Sequence, residues 1–223
     1  MSLPFTLQQF LETFRSYHSA IGPAPVLLSL LAFALVLLAR GRASWRQRAV
    51  GVGLAILWLW AGVVYHLGFF SRINPAAKVF GIAFIAQGLL FLRSSMRSRI
   101  QFSPPDGWFA FAGWFLITYA LIVYPVLGWL GGHGYPVGPS FGAPCPMVIF
   151  TLGMLTWTTG RGRLAIAAIP IAWAAIGTSA ATALGITEDY GLAVAAALMG
   201  VSLWLQHRRG DTTHTAGSAV RTA

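Results

Sequence analysis

Residues 49–70 read AVGVGLAILWLWAGVVYHLGFF, an unbroken apolar run whose one ionisable side chain is His66. The run does not alternate polar with apolar positions, so it is not a barrel strand. In lipid its backbone groups must be paired within the segment, which leaves a helix. At about 1.5 Å per residue its length suffices for a hydrocarbon core of about 30 Å. Working outward from it, similar runs occupy residues 25–39 (with a lead-in from 21), 75–92, 108–130, 146–160, 164–184 and 190–205. The pattern predicts an all-α fold: a polytopic membrane helix bundle with seven transmembrane helices.

Composition points the same way. Hydrophobic residues make up 57% of the 223 positions and charged residues 9%, where an ordinary globular domain has roughly 25% charged. Mean hydropathy is +0.69. A water-soluble domain of this size could not hide so much apolar surface.

The net charge of +10 is distributed as a membrane protein distributes it. Arg40, Arg42, Arg46, Arg48, Arg93, Arg97, Arg99, Arg161, Arg163, Arg208, Arg209 and Arg221 fall on one side of the expected spans, and only Arg15, Arg72 and Lys78 on the other. Basic residues gather in cytoplasmic loops, so the expected orientation has the N-terminus outside and the C-terminus in the cytoplasm. A nucleic-acid partner is not expected, because that surface would be a basic stripe on a polar domain. The expected partners are the lipid bilayer and an unidentified small solute. The single cysteine, Cys145, excludes an internal disulfide framework and a cysteine-cluster zinc site. No basic region precedes the first apolar run, so a cleavable signal peptide is not expected.

Three regions are expected. In residues 1–20, Leu7, Phe10, Leu11, Phe14 and Tyr17 recur at helical spacing, and Thr6 with Gln9 fits a capping box. This predicts an amphipathic helix lying in the membrane interface. Residues 21–206 form the membrane domain. Residues 207–223, rich in Thr, Gly, Ser and Ala, read as a disordered cytoplasmic tail.

A possible internal repeat runs through the membrane domain. Pro23-Ala24-Pro25 opens the first span and Arg40-Gly41-Arg42 closes it; Pro144-Cys145-Pro146 and Arg161-Gly162-Arg163 do the same for the fifth. Equal offsets predict a parallel three-plus-one-plus-three layout, as in some transporters. Proline and arginine also mark helix starts and cytoplasmic ends in unrelated membrane helices, which is the alternative reading.

Several motifs carry a family resemblance: His133-Gly134-Tyr135-Pro136, then Phe141-Gly142-Ala143-Pro144-Cys145-Pro146 with Ile149-Phe150-Thr151 and Gly153. Trp58-Leu59-Trp60, Gly62-Val63-Val64-Tyr65-His66 and Ile73-Asn74-Pro75-Ala76-Ala77 belong to the same set. Together they resemble an uncharacterised family of bacterial multi-pass inner-membrane proteins, a domain-of-unknown-function family often labelled permease. The resemblance covers most of residues 4–205. It implies a bacterial inner-membrane setting and brings no established activity.

Candidate chemistry concentrates at the expected outer ends. His66 sits about one turn inside span two, where an ionisable group is usually paired or functional. The linker 131–145, rich in Gly and Pro, cannot be helical, and the fifth span after it is short for a bilayer. A cavity under this linker is the expected site, with His66, Tyr65, His133, Tyr135, Cys145 and Glu188 as candidate ligand-binding residues. His66, His133 and Cys145 together would suit a soft divalent metal, although their spacing matches no compact ligand motif. Gly138-Pro139-Ser140-Phe141-Gly142 matches the nucleophile-elbow pattern but lacks the strand that motif needs. The function expected first is a small-solute permease with a site on the outer side; the alternative is a membrane-embedded ligand- or metal-binding protein or enzyme working at the outer face. Enzymatic activity is left open.

Overall fold

The computed structural model describes residues 3–98, 100–159 and 162–219. Helix α1 (Leu7–Ile21) opens with the capping box expected of Thr6 and Gln9: each backbone N–H donates to the other's side chain. It ends at Gly22, whose φ of 54° suits glycine, and α2 (Ala24–Ala39) departs at 84°. Helix α3 (Ser44–Trp60) continues without interruption through a π-helical segment, Ala61–Phe69, into a 3₁₀ turn, Phe70–Arg72. Helix α4 (Ala77–Met96) follows, then the two-residue strand β1 (Gln101–Phe102). Helix α5 (Trp108–Thr118) passes through a second π segment, Tyr119–Val123, into α6 (Tyr124–Leu130). A loop then leads to α7 (Pro144–Thr156), β2 (Thr158–Thr159), α8 (Arg163–Leu184), a 3₁₀ turn (Thr187–Tyr190) and α9 (Gly191–Ala219).

The second π segment has a sequence cause. Pro125 offers no N–H, and its ring would press on the carbonyl four residues back. The chain widens there, and the Tyr124 N–H reaches Tyr119 O, five residues back.

Among the described residues, five helical stretches are long and apolar enough to cross a membrane: Ser44–Arg72, Ala77–Met96, Trp108–Leu130, Arg163–Leu184 and Thr187–Gln206. The bent pair α1 and α2 makes a possible sixth. Seven were expected. The shortfall lies chiefly at residues 146–160, where α7 is only 13 residues, about 20 Å long. Every α7 residue except Cys145 is buried, against α3, α5, α8 and α9. A helix shielded from lipid on all sides is freed from the length that lipid contact imposes. The lipid-type surface lies instead on the outer helices, where Val26, Leu30, Phe33, Val79, Ile82 and Phe111 are all exposed.

The polar side chains within the bundle are mostly fastened to neighbouring helices. Pro170 leaves the Ile166 carbonyl in α8 without its usual helical donor. Gln87 of α4 fills that vacancy, its Nε2 donating to Ile166 O at 2.9 Å. This is why α8 runs through a proline as one helix. Trp58 Nε1 donates to Thr151 Oγ1 at 3.1 Å, tying α3 to α7.

The end that carries the arginine clusters, termed here the arginine end, is closed by backbone pairing. Strands β1 and β2 form an antiparallel ribbon, Gln101 opposite Thr159 and Phe102 opposite Thr158, an addition to the all-α expectation. Gln47 donates to Gly41 O and Phe102 O and accepts from the Phe102 N–H, at 2.7, 2.8 and 2.6 Å. The expected tail boundary at 207 falls within α9, whose backbone is helical to Ala219.

Candidate ligand site at the loop end

The opposite end is built from α1, residues 61–74, the loop 131–143 and the 187–190 turn. The apolar face of α1 packs on protein: Phe10, Phe14 and Tyr17 are buried with Phe5, Tyr65 and Phe70 in a cluster of their own. Phe14 stacks on Tyr65 with centroids 5.1 Å apart, and Phe10 meets Phe70 edge-on at 6.2 Å.

Two residues of α1 hold the loop. Tyr17 donates to Gly142 O at 3.4 Å and accepts from Trp60 Nε1 at 2.8 Å. His18 Nδ1 lies 2.8 Å from Pro136 O, and its Nε2 lies 2.7 Å from Ser140 Oγ. A carbonyl only accepts, so Nδ1 carries the proton and Nε2 accepts from the Ser140 hydroxyl. Burial pushes the His18 pKa down, with the Pro136 contact opposing in part. Burial therefore keeps the ring in the neutral form this arrangement needs. Gly142 sits at φ 101°, and a Cβ there would fall 2.5 Å from Leu28 Cδ1. Tyr135 is exposed and tilts against His18 with ring centroids 4.8 Å apart; its peptide bond to Pro136 is cis.

Two acidic residues anchor the far side of the loop. Glu188 and Asp189 are 0% and 3% exposed. His133 Nδ1 faces Gly131 O at 3.0 Å, and its Nε2 meets Glu188 Oε1 at 2.7 Å. Tyr119 donates to Glu188 O at 2.8 Å, and Tyr124 donates to Asp189 Oδ1 at 2.5 Å. Cys145, partly buried at the start of α7, lies beside Asp189 and the Trp173 indole.

A cavity of about 120 Å³ opens between α1, residues 65–80 and α8. Tyr65, Cys145, Trp173 and Asp189 line it, with aromatic walls from Phe10 and Phe80. A second, larger hollow of about 510 Å³ lies between α2, α6 and the loop, lined by Phe33, Pro125, Tyr135 and Ser140.

The six candidate residues thus separate into groups. Tyr65 and Cys145 line the smaller cavity, His133 and Glu188 pair beside it, and Tyr135 stands at the surface. His66 is fully buried behind the cavity wall, with Phe84, Trp173 and Phe80 around its ring at 4.5, 4.9 and 6.0 Å. Neither of its nitrogens has a hydrogen-bond partner. His66, His133 and Cys145 do not assemble into the metal set their residue types suggest: His133 is taken by Glu188 and His66 is enclosed by rings. Among the described residues, no three His, Cys, Asp or Glu side chains are placed to hold a metal ion. Sequence reasoning undervalued Asp189 and did not single out Tyr124 or Trp173. Asp189 had one legible signal, adjacent carboxylates in a turn too short to solvate both fully.

No curated protein and no solved structure matches this chain. A family model does match, over residues 7–215, and the chain belongs to that family, DUF6064, a family of unknown function.

Proposed function

We propose that this is a membrane-embedded binding protein for a small solute, with its site at the loop end and that end facing outward. The observation that carries the reading is the cavity lined by Tyr65, Cys145, Trp173 and Asp189 under α1. Concave, mostly apolar sites with a few convergent polar groups are where small ligands bind. The outward orientation rests on the twelve-to-three arginine and lysine asymmetry.

Binding is favoured over permeation. A permease of this layout needs a path past the middle of the bundle, with Gln87 and Thr118 on it. Gln87 is instead fully buried and fastened to Ile166 O, and neither residue lines the loop-end cavity. The test uses the lone thiol. Purified protein in nanodiscs is labelled at Cys145 with N-ethylmaleimide in the presence of amines, alcohols, carboxylates and neutral sugars. Slowed labelling by any one class supports a solute site. Unchanged labelling across all classes overturns it. Uptake of the protecting solute by proteoliposomes would restore the permease reading.

A second reading, an outer-face enzyme, is favoured by one observation: Ser140 Oγ lies 2.7 Å from His18 Nε2, and His18 Nδ1 is oriented by Pro136 O. This is the tautomer in which a histidine acts as base toward a serine. Attack by Ser140 on an ester carbon would pass its proton to His18, which returns it to the leaving alcohol. An alkyl fluorophosphonate labelling Ser140, but not Ser140→Ala or His18→Ala, supports this. Equal labelling of all three, or none of the wild type, rules it out.

A further inference from the structure

The two adjacent carboxylates at the loop end are unequally compensated. Glu188 has His133 at 2.7 Å. Asp189, 3% exposed, is hydrogen-bonded by neutral groups, the Tyr124 hydroxyl at 2.5 Å and the Cys145 thiol, with the Glu188–His133 pair next to it. Among the described residues no Lys or Arg lines the cavity that Asp189 faces. A carboxylate out of water without a cation is held at a high free-energy cost, which a positive ligand would relieve.

The walls of that cavity suit a cation. Phe10, Phe14, Tyr65, Phe70, Phe80 and Trp173 supply the rings, and the faces of aromatic rings attract organic ammonium ions. A further group points to an occupant. The Trp173 indole N–H is buried, and its polar neighbour among the described residues is the Cys145 thiol, a weak acceptor. A methyl group placed on Gly177, another lining residue, would sit 3.7 Å from that nitrogen and 3.8 Å from the Cys145 sulfur. That weakly paired donor is therefore close to the cavity wall and suits a stronger acceptor atom of a ligand. The volume of about 120 Å³ is near that of engineered cavities that take one benzene-sized molecule.

We infer that the loop-end cavity binds a small organic ammonium ion, its positive charge on Asp189 and within the ring of aromatic side chains, with room for one hydroxyl facing Trp173. This rests on the binding reading above and names its ligand class. The ammonium group has two natural sources, a free amine and a phospholipid headgroup.

The test measures N-ethylmaleimide labelling of Cys145 in phosphatidylglycerol nanodiscs, which hold no ammonium headgroup. Propylammonium and 2-hydroxyethylammonium are compared with 1-propanol and propionate. Either amine at ten times its Kd should slow labelling about tenfold, and the alcohol and the acid should leave it unchanged. Asp189→Asn should abolish the protection. Should that variant fail to fold, Phe10→Leu on α1 should weaken protection by the amines. Protection that appears only with phosphatidylethanolamine present assigns the headgroup as the source. Equal protection by amine and alcohol overturns this inference while leaving a solute site. No protection by any compound overturns both.

Discussion

The two ends of this bundle are closed by different means. At the arginine end a two-residue ribbon pairs backbone with backbone, and the Gln47 and Arg163 side chains fasten nearby backbone groups. At the loop end side chains far apart in sequence do the closing: Tyr17 and His18 to the loop, His133 to Glu188, Tyr124 to Asp189. Backbone pairing makes an inert cap, since its groups satisfy one another. The loop end instead holds buried ionisable groups and a cavity, and such groups persist only where the surrounding structure fixes them. The solute site proposed above lies at the loop end.

That contrast can be broken most sharply from the acidic side. Glu188→Ala should cost about 2–4 kcal/mol, because it removes a buried partner and leaves space around it. A fall of several degrees in the thermal midpoint of the detergent-solubilised protein would register it. At the arginine end the damaging change is steric. A Cβ on Gly113 would lie 2.0 Å from Trp157 Nε1, so Gly113→Ala should destabilise by about 1–3 kcal/mol in the same measurement. Gln47→Ala loses three hydrogen bonds to backbone groups of Gly41 and Phe102, and about 1–2 kcal/mol is expected.

The ends should also answer differently to acid. The His18 pKa is lowered in the folded protein, so the unfolded chain binds the proton more tightly. The stabilisation is complete above about 6.5, the ordinary histidine value, and is lost as pH falls through and below it. Hydrogen-exchange protection in α1, corrected for the intrinsic rate, should therefore fall below that pH while protection at β1 and β2 holds, and His18→Gln should remove the difference. The smallest effect belongs to the exposed pair Arg15 and Glu12 at 3.0 Å. Arg15→Ala should change stability by less than about 0.5 kcal/mol.

Much of this fold could be read from residue order. Continuous apolar runs between arginine clusters disclose the helices, and the Thr6–Gln9 spacing discloses the start of α1. What the runs do not disclose is which helix is central. Residues 23–25 and 144–146 carry the same proline punctuation, yet α2 exposes Val26, Leu27 and Leu30 while α7 is enclosed. Punctuation reports where a helix starts, and burial depends on neighbours that local sequence does not name. The candidate site was legible in its location, the Gly/Pro loop over the start of α7, and in Tyr65, Cys145 and the Glu188–Asp189 turn. Its pairing was not. His18 and Ser140 are 122 residues apart, His133 and Glu188 are 55, and no spacing rule joins such partners. His66 seemed the most promising position by depth, but the rings around it leave it without a polar partner.

The measurement that bears most directly on the proposed functional end is sided labelling with a membrane-impermeant maleimide in intact cells. The wild type, with Cys145 as its single thiol, is compared with a Cys145→Ser, Ser103→Cys variant whose thiol lies at the arginine end. The account predicts that Cys145 reacts in intact cells and that the thiol at position 103 reacts only after the cells are opened. The reverse pattern would put the loop end in the cytoplasm and contradict an outward-facing site.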